Sequence, residues 1–113
     1  MEILKIVTVS EWARARRDGR FAGSPVDLAD GFIHFSTWAQ VAETAARHFA
    51  GQDDLLLVVV DAERLGPALV FEPSRGGDLF PHLYGELPLS AVEWEAPIGR
   101  DADGRHIIPR RPA

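Results

Sequence analysis

Asp30-Gly31-Phe32-Ile33-His34-Phe35-Ser36-Thr37 sets a histidine between aromatic and aliphatic neighbours, just before a residue able to cap a helix. In extended chain successive side chains point to opposite faces, so Phe32, His34 and Ser36 share one face while Ile33 and Phe35 turn to the other. Thr37-Trp38-Ala39-Gln40 matches a capping box, with Thr37 as N-cap and Gln40 reaching back from the third helical position. A strand over Phe32 to Phe35 that runs directly into a helix is expected, with the histidine near the strand's end. Trp38, Val41, Ala42, Ala45 and Phe49 then recur at helical spacing, and Gly51 marks the stop.

Upstream, Ile3 to Val9 is rich in β-branched residues and reads as a strand. Ser10 offers an N-cap oxygen and Glu11 suits a first helical turn, giving a helix to about Asp18 that Gly19 closes. Arg20 to Gly31 carries loop signals, Gly23-Ser24-Pro25 and Asp30-Gly31. Downstream, Leu55 to Val60 is an unbroken apolar run between acidic residues, the pattern of a strand buried on both faces, with Ala68 to Glu72 as its expected neighbour. Ser74 to Asp78 reads as a flexible loop. Ala91 to Ala96 alternates, and Asp103-Gly104 is a hairpin signal between Ile98-Gly99-Arg100 and His106-Ile107-Ile108. Pro109 to Ala113 reads as a frayed tail. Strands outnumber helices without strictly alternating with them, which favours α+β: a small mixed or antiparallel sheet with two helices. One domain over residues 1–113 is expected, with its core in 2–96 and a C-terminal hairpin and tail in 97–113.

The chain has 113 residues, 46% hydrophobic and 26% charged, and a formal net charge of -5. That balance argues against broad nucleic-acid binding, which needs Lys and Arg to neutralise phosphates. Arg14, Arg16, Arg17 and Arg20 form a local basic stretch, either a solvated helix face or a docking patch for an anion. Without cysteine there are no disulfides, thiolate metal sites or cysteine nucleophiles. The N-terminus lacks the pattern of a signal peptide, and the longest apolar run is far short of a membrane span. A soluble cytoplasmic protein is the expectation.

Phe80-Pro81-His82-Leu83-Tyr84-Gly85 carries a second histidine in an apolar frame. Alternation puts His82 with Tyr84 and turns Leu83 to the core; Pro81 fixes the approach and Gly85 frees the exit. An imidazole near neutral pH can give or take a proton, and an unpartnered polar ring in an apolar frame loses its water for nothing. His34 and His82 are therefore expected to form two walls of one site. The plain alternatives are a core histidine held by a carbonyl and a packed loop in which Tyr84 covers the core. Free amides at the helix start after Thr37 would attract an anion, with Ser36 or Thr37 left over as a contact. Glu72, at the end of an apolar strand, could orient a histidine or act as a base, or stand as a plain surface carboxylate. His48 reads as structural and His106 carries no signal. A metal held by His34, His82 and Glu72 is disfavoured by their scattered spacing, and no G-x-S-x-G elbow or Walker loop occurs.

The motifs Asp30 to Thr37, Gln40, Asp54-Leu55-Leu56-Leu57, Phe71-Glu72 and Phe80 to Gly85 together resemble a small bacterial family of unknown function, domain family 952, over residues 2 to about 96. The resemblance implies an architecture related to ADP-ribosyltransferases. In that fold a histidine or arginine on an early strand contacts ribose, a hydroxyl residue orders the dinucleotide, and a glutamate stabilises positive charge at the ribose. Carried to matching positions, it implies His34, His82 and Glu72 as catalytic residues, with Ser36, Thr37 and Tyr84 contacting ligand; Phe32, on the face of His34, is expected to contact it as well, and the scattered histidine spacing leaves no metal expected. NAD or ADP-ribose would be the ligand, or another small anion. A non-catalytic module binding a ligand or protein partner through the same cleft is the alternative.

Overall fold

Seven consecutive residues at each of two places, both dominated by aliphatic side chains, make the longest strand pairing in the molecule. In the computed structural model, which describes residues 1–111, the chain runs β1 (Glu2–Thr8), α1 (Val9–Asp18), β2 (Arg20–Phe21), α2 (Pro25–Asp30), β3 (Ile33–His34) and α3 (Val41–His48). It continues with β4 (Leu55–Asp61), β5 (Leu69–Pro73), β6 (Leu79–Leu83), β7 (Leu87–Pro88), β8 (Val92–Arg100) and β9 (His106–Ile107), joined in places by short 3-10 turns. This is an α+β chain whose strand pairs among the described residues are all antiparallel.

One sheet has the order β1-β4-β8-β9, a second β3-β6-β5, and β2 pairs with β7. Leu4 and Ser36 exchange two backbone hydrogen bonds of 2.8 Å, and these tie the edge of the first sheet to the second. β4 is central, and Leu57, Val58, Val59 and Val60 are all fully buried, as a strand covered on both faces requires. Period-two alternation sorts the neighbours. Ile3, Val7, Val58 and Val60 join Trp12, Phe21, Ile33 and Leu83 on one side. Leu4, Ile6, Leu57 and Val59 meet Val41 and Ala45 of α3 on the other.

Several expectations shift. Thr8, not Ser10, caps α1: its hydroxyl accepts from the Glu11 amide at 3.1 Å while Glu11 accepts from the Thr8 amide at 2.9 Å. The reciprocal box needs the acid three residues after the cap, and only Thr8 stands there. The stretch expected as a loop, Arg20 to Gly31, holds β2 and α2, so the described residues contain three α-helices rather than two. Pro25 opens α2 and Gly31, at φ 86°, ends it in the left-handed conformation. Ala68 to Glu72 was expected beside the buried strand, yet β5 pairs with β6, because β1 and β8 already occupy both sides of β4. α3 starts at Val41 rather than after Thr37, with a turn in which Gln40 and Val41 both donate to the Thr37 carbonyl.

β8 runs beyond the expected core limit at residue 96, and Ile98 is buried opposite Leu55. The expected hairpin forms, pairing Gly99 with Ile107 and Arg100 with His106. Of the stretch expected to fray, Arg110 places its guanidinium 4.3 Å from the centre of the Trp38 ring, a cation–π contact. Pro112 and Ala113 lie outside the described residues.

Leu83 is 2% exposed within the larger core cluster. Truncation to Ala should cost about 2–5 kcal/mol in denaturant melts, the range for large-to-small core changes; a loss near zero would show that the β6 face has been assigned the wrong way round.

Candidate functional site

Antiparallel pairing of β3 with β6 places His34 directly opposite His82, and Ile33 opposite Leu83. Cross-strand partners share a face, so the two apolar residues go to the core together and the two imidazoles meet on the other side. Their ring centres lie 5.6 Å apart, edge to face. Phe32 covers both, stacked on His82 at 4.1 Å and tilted against His34 at 4.6 Å, with Tyr84 at 5.2 Å.

Each imidazole has a carboxylate at its Nδ1. For His34 it is Asp27 Oδ1 at 2.7 Å, which also accepts the His34 backbone amide at 3.1 Å. The Nε2 of His34 meets a second carboxylate, Asp30 Oδ2, at 3.0 Å. For His82 the partner is Glu72 Oε1 at 2.8 Å, and the same oxygen accepts the Tyr84 hydroxyl at 2.7 Å. Those two donors, Tyr84 first and then His82, hold the Glu72 carboxyl below the usual range, and Glu72 in turn pushes the Tyr84 phenol up. A carboxylate at one nitrogen fixes ring orientation and tautomer and favours the other nitrogen as the working atom.

Beneath this pair lies a buried ion pair. Lys5 falls between Ile3 and Val7 on the inward face of β1 and is only 6% exposed, so its ammonium needs a counter-ion. It finds Asp27, itself 2% exposed, at 3.0 Å. Burial pushes the Lys5 pKa down, against the pull of Asp27. Burial also opposes the Asp27 carboxylate, but the His34 hydrogen bond, the Lys5 charge and the Ser24 amide outweigh it and leave that pKa lowered.

A cavity of about 690 Å³ opens where β1 and β3 part, between α2 and α3. Lys5, His34, Ser36 and His82 stand on its wall, with Asp30 from α2 and Phe80 from β6. Its size suits a small molecule. Of the residues expected at a site, the lining thus includes His34, His82 and Ser36. Phe32, Glu72 and Tyr84 do not line it: Phe32 stacks on the His82 ring, Glu72 meets its Nδ1, and Tyr84 donates to Glu72. Thr37 is not on the wall either, and its amide is already taken by Gln40 Oε1 at 3.0 Å. The helix start expected there as an anion site is therefore displaced to Val41. Ser36 shares a hydrogen bond of 3.0 Å with Thr44 Oγ1, and its backbone is pinned to Leu4.

His48 also lines the cavity, while His106 Nε2 lies 3.0 Å from the Gln52 carbonyl. The basic stretch is largely matched by acids: Arg14 to Asp18, Arg16 to Glu95 and Arg20 to Glu86. Among the described residues no three His, Asp or Glu side chains are grouped to hold a metal ion.

Lys5, Asp27 and Asp30 escaped the sequence reading. Lys5 could have been found as the lone charge inside an apolar strand. Ser24-Pro25 followed by Asp27 has the form of a capped helix start, and the Asp27 side chain does accept the Ser24 amide at 2.8 Å.

The model of a family described as "Protein of unknown function (DUF952)" matches residues 6–95. The crystal structure of protein CC0527 from Caulobacter crescentus is similar at a TM-score of 0.91 and 52% identity, covering 95% of this chain and 94% of that one. The solution structure of CC0527 gives a TM-score of 0.83 and 54% identity over 92% and 90% of the two chains. No curated protein matches.

Removing one member of a buried ion pair strands the other. Asp27→Ala should therefore destabilise by about 3–5 kcal/mol, measured by denaturant melts. A loss below about 1 kcal/mol would contradict a buried pair of this kind. The lowered Asp27 pKa also has a signed consequence. Its stabilising contribution is fully present above the unfolded carboxylate pKa of about 3.9 and fades as pH falls through the lower folded value. Asp27→Asn should flatten that acid limb of the stability curve.

Proposed function

This chain belongs to the DUF952 family of proteins of unknown function, and for this member we propose that the cavity beside the paired histidines binds a small anionic, nucleotide-like ligand such as NAD or ADP-ribose. One observation carries the reading: two imidazoles, each held at Nδ1 by a carboxylate, stand with a lysine ammonium on the wall of one cavity of about 690 Å³. With Nδ1–H given to a carboxylate, a protonated imidazole keeps its Nε2–H as a charge-assisted donor suited to phosphoryl oxygens, and the Lys5–Asp27 pair lies behind it. In an enzyme, His34 and His82 would move protons or contact phosphate, and Glu72 would act through His82 by balancing positive charge on its ring. That makes Glu72 a positioning residue, because it does not line the cavity.

Of the expected contacts other than the histidines, Ser36 stands on the cavity wall, whereas Thr37, Phe32 and Tyr84 would support the site from outside it. The motif resemblance supports an architecture related to ADP-ribosyltransferases, and the sharing of β1 and β4 by both core clusters supports treating residues 1–113 as one domain. No helix among the described residues is long and apolar enough to cross a membrane. The net charge of -5 and the paired arginines favour a small anion over nucleic acid as the partner.

A ligand that binds only the folded state raises stability by RT ln(1 + [L]/Kd), about 2.7 kcal/mol at a hundredfold excess over Kd. NAD, ADP-ribose, AMP and inorganic phosphate at millimolar concentration should include at least one that raises Tm with the logarithm of its concentration. His34→Gln and His82→Gln should each abolish most of that rise. A flat panel overturns the reading. Binding of NAD without its breakdown would make the protein a non-catalytic module of the same fold.

A further inference from the structure

Both nitrogens of His34 face carboxylates from the same six-residue helix, and the two carboxylates are not alike. Asp27 is buried and carries Lys5, the Ser24 amide and the His34 amide besides the Nδ1 contact. It cannot leave without stranding a buried ammonium. Asp30, at the end of α2, has a side chain 49% exposed, and its ion-pair contact is with His34 Nε2. Its release to water strands nothing, and an exposed pair of this kind contributes little to stability.

Asp30 also lines the cavity, so its Oδ2 occupies the place beside Nε2 where an acceptor oxygen of a ligand would sit. The segment that bears it is set between glycines in left-handed or related backbone, Gly23 at φ 129° and Gly31 at φ 86°. The first of these is also a close approach: a Cβ on Gly23 would come 3.0 Å from the Asp27 Cβ. α2 is thus fastened at its buried side by Asp27, while the half-exposed Asp30 side chain at its C-terminal end reaches His34 Nε2.

Resting on the anion reading of the cavity, we propose that Asp30 is a specificity-determining residue: an exchangeable stand-in for the ligand that a phosphoryl oxygen must displace from His34 Nε2. The fixed Asp27 keeps the ring oriented while Asp30 leaves. A displaced Asp30 remains near the incoming anion and repels it, more strongly the greater the ligand's charge. Asp30 therefore discriminates against doubly charged phosphate groups in favour of singly charged diphosphate or diester oxygens. Weak carboxylate ligands gain nothing over the carboxylate already in place.

The test reads His34 directly. Diethyl pyrocarbonate modifies accessible imidazole nitrogen, and mass spectrometry resolves the rate at His34 from that at His82. In Asp30→Ala the His34 rate should rise at least about fivefold while the His82 rate stays unchanged, and Asp30→Asn, which keeps an acceptor but loses the charge, should fall between. Inorganic phosphate should slow the His34 reaction at a concentration about tenfold lower in Asp30→Ala than in the natural chain, equivalent to about 1.4 kcal/mol. An unchanged His34 rate in both variants overturns the exchange alone. A raised rate with no phosphate protection in any protein overturns the anion reading of the cavity, and the exchange with it.

Discussion

The Asp27 carboxylate is the contact on which the site depends. It joins β1 through Lys5, the start of α2 through the Ser24 amide, and β3 through both the amide and the ring of His34. Three elements, β1 distant in sequence from the other two, are thereby held at one buried point. Desolvation opposes both charges of the ion pair, so neither is tolerable alone; each is acceptable because the other is within 3.0 Å and further donors fill the carboxylate's lone pairs. The same group that settles the lysine orients the imidazole, which couples the stability of this corner to the geometry of the cavity wall.

The second constraint is geometric. Strand pairing with a period of two sends Ile33 and Leu83 into the core and leaves His34 and His82 together on the opposite face. A slip of one residue would exchange these faces and bury the imidazoles among aliphatic side chains. Register is therefore specified by the core, and the site inherits it. Where the chain after His34 turns from β6 to β1, through the Leu4–Ser36 bridge, the two sheets part and a cavity opens between them.

Much of this was legible from the residues. The alternation around His34 and His82 indicated which side chains share a face, and the unbroken run from Leu55 indicated a strand covered on both sides. Glu72 could be named as a partner that orients a histidine, which matches its contact with His82 Nδ1. Three things were hidden. The pairing of β5 with β6 depends on which strand edges are still open, a property of the assembled sheet. The start of α3 was misplaced because Gln40 does reach back to the Thr37 amide, but across a turn rather than a first helical turn. Asp27 is hidden in the sequence because the glycine and proline signals around α2 are also loop signals, although here they serve as its cap, first position and terminator.

A small anion held in the cavity between β1 and β3 would meet both His34 and His82. Nitrogen-15 NMR of the imidazole rings during titration with ADP-ribose reports on His34 and His82 individually. Saturable shifts are expected at both rings with one shared Kd, with little change at His106, which lies against the Gln52 carbonyl away from the cavity wall. Shifts absent at millimolar ligand, or confined to His106, would rule out an anion at the two histidines.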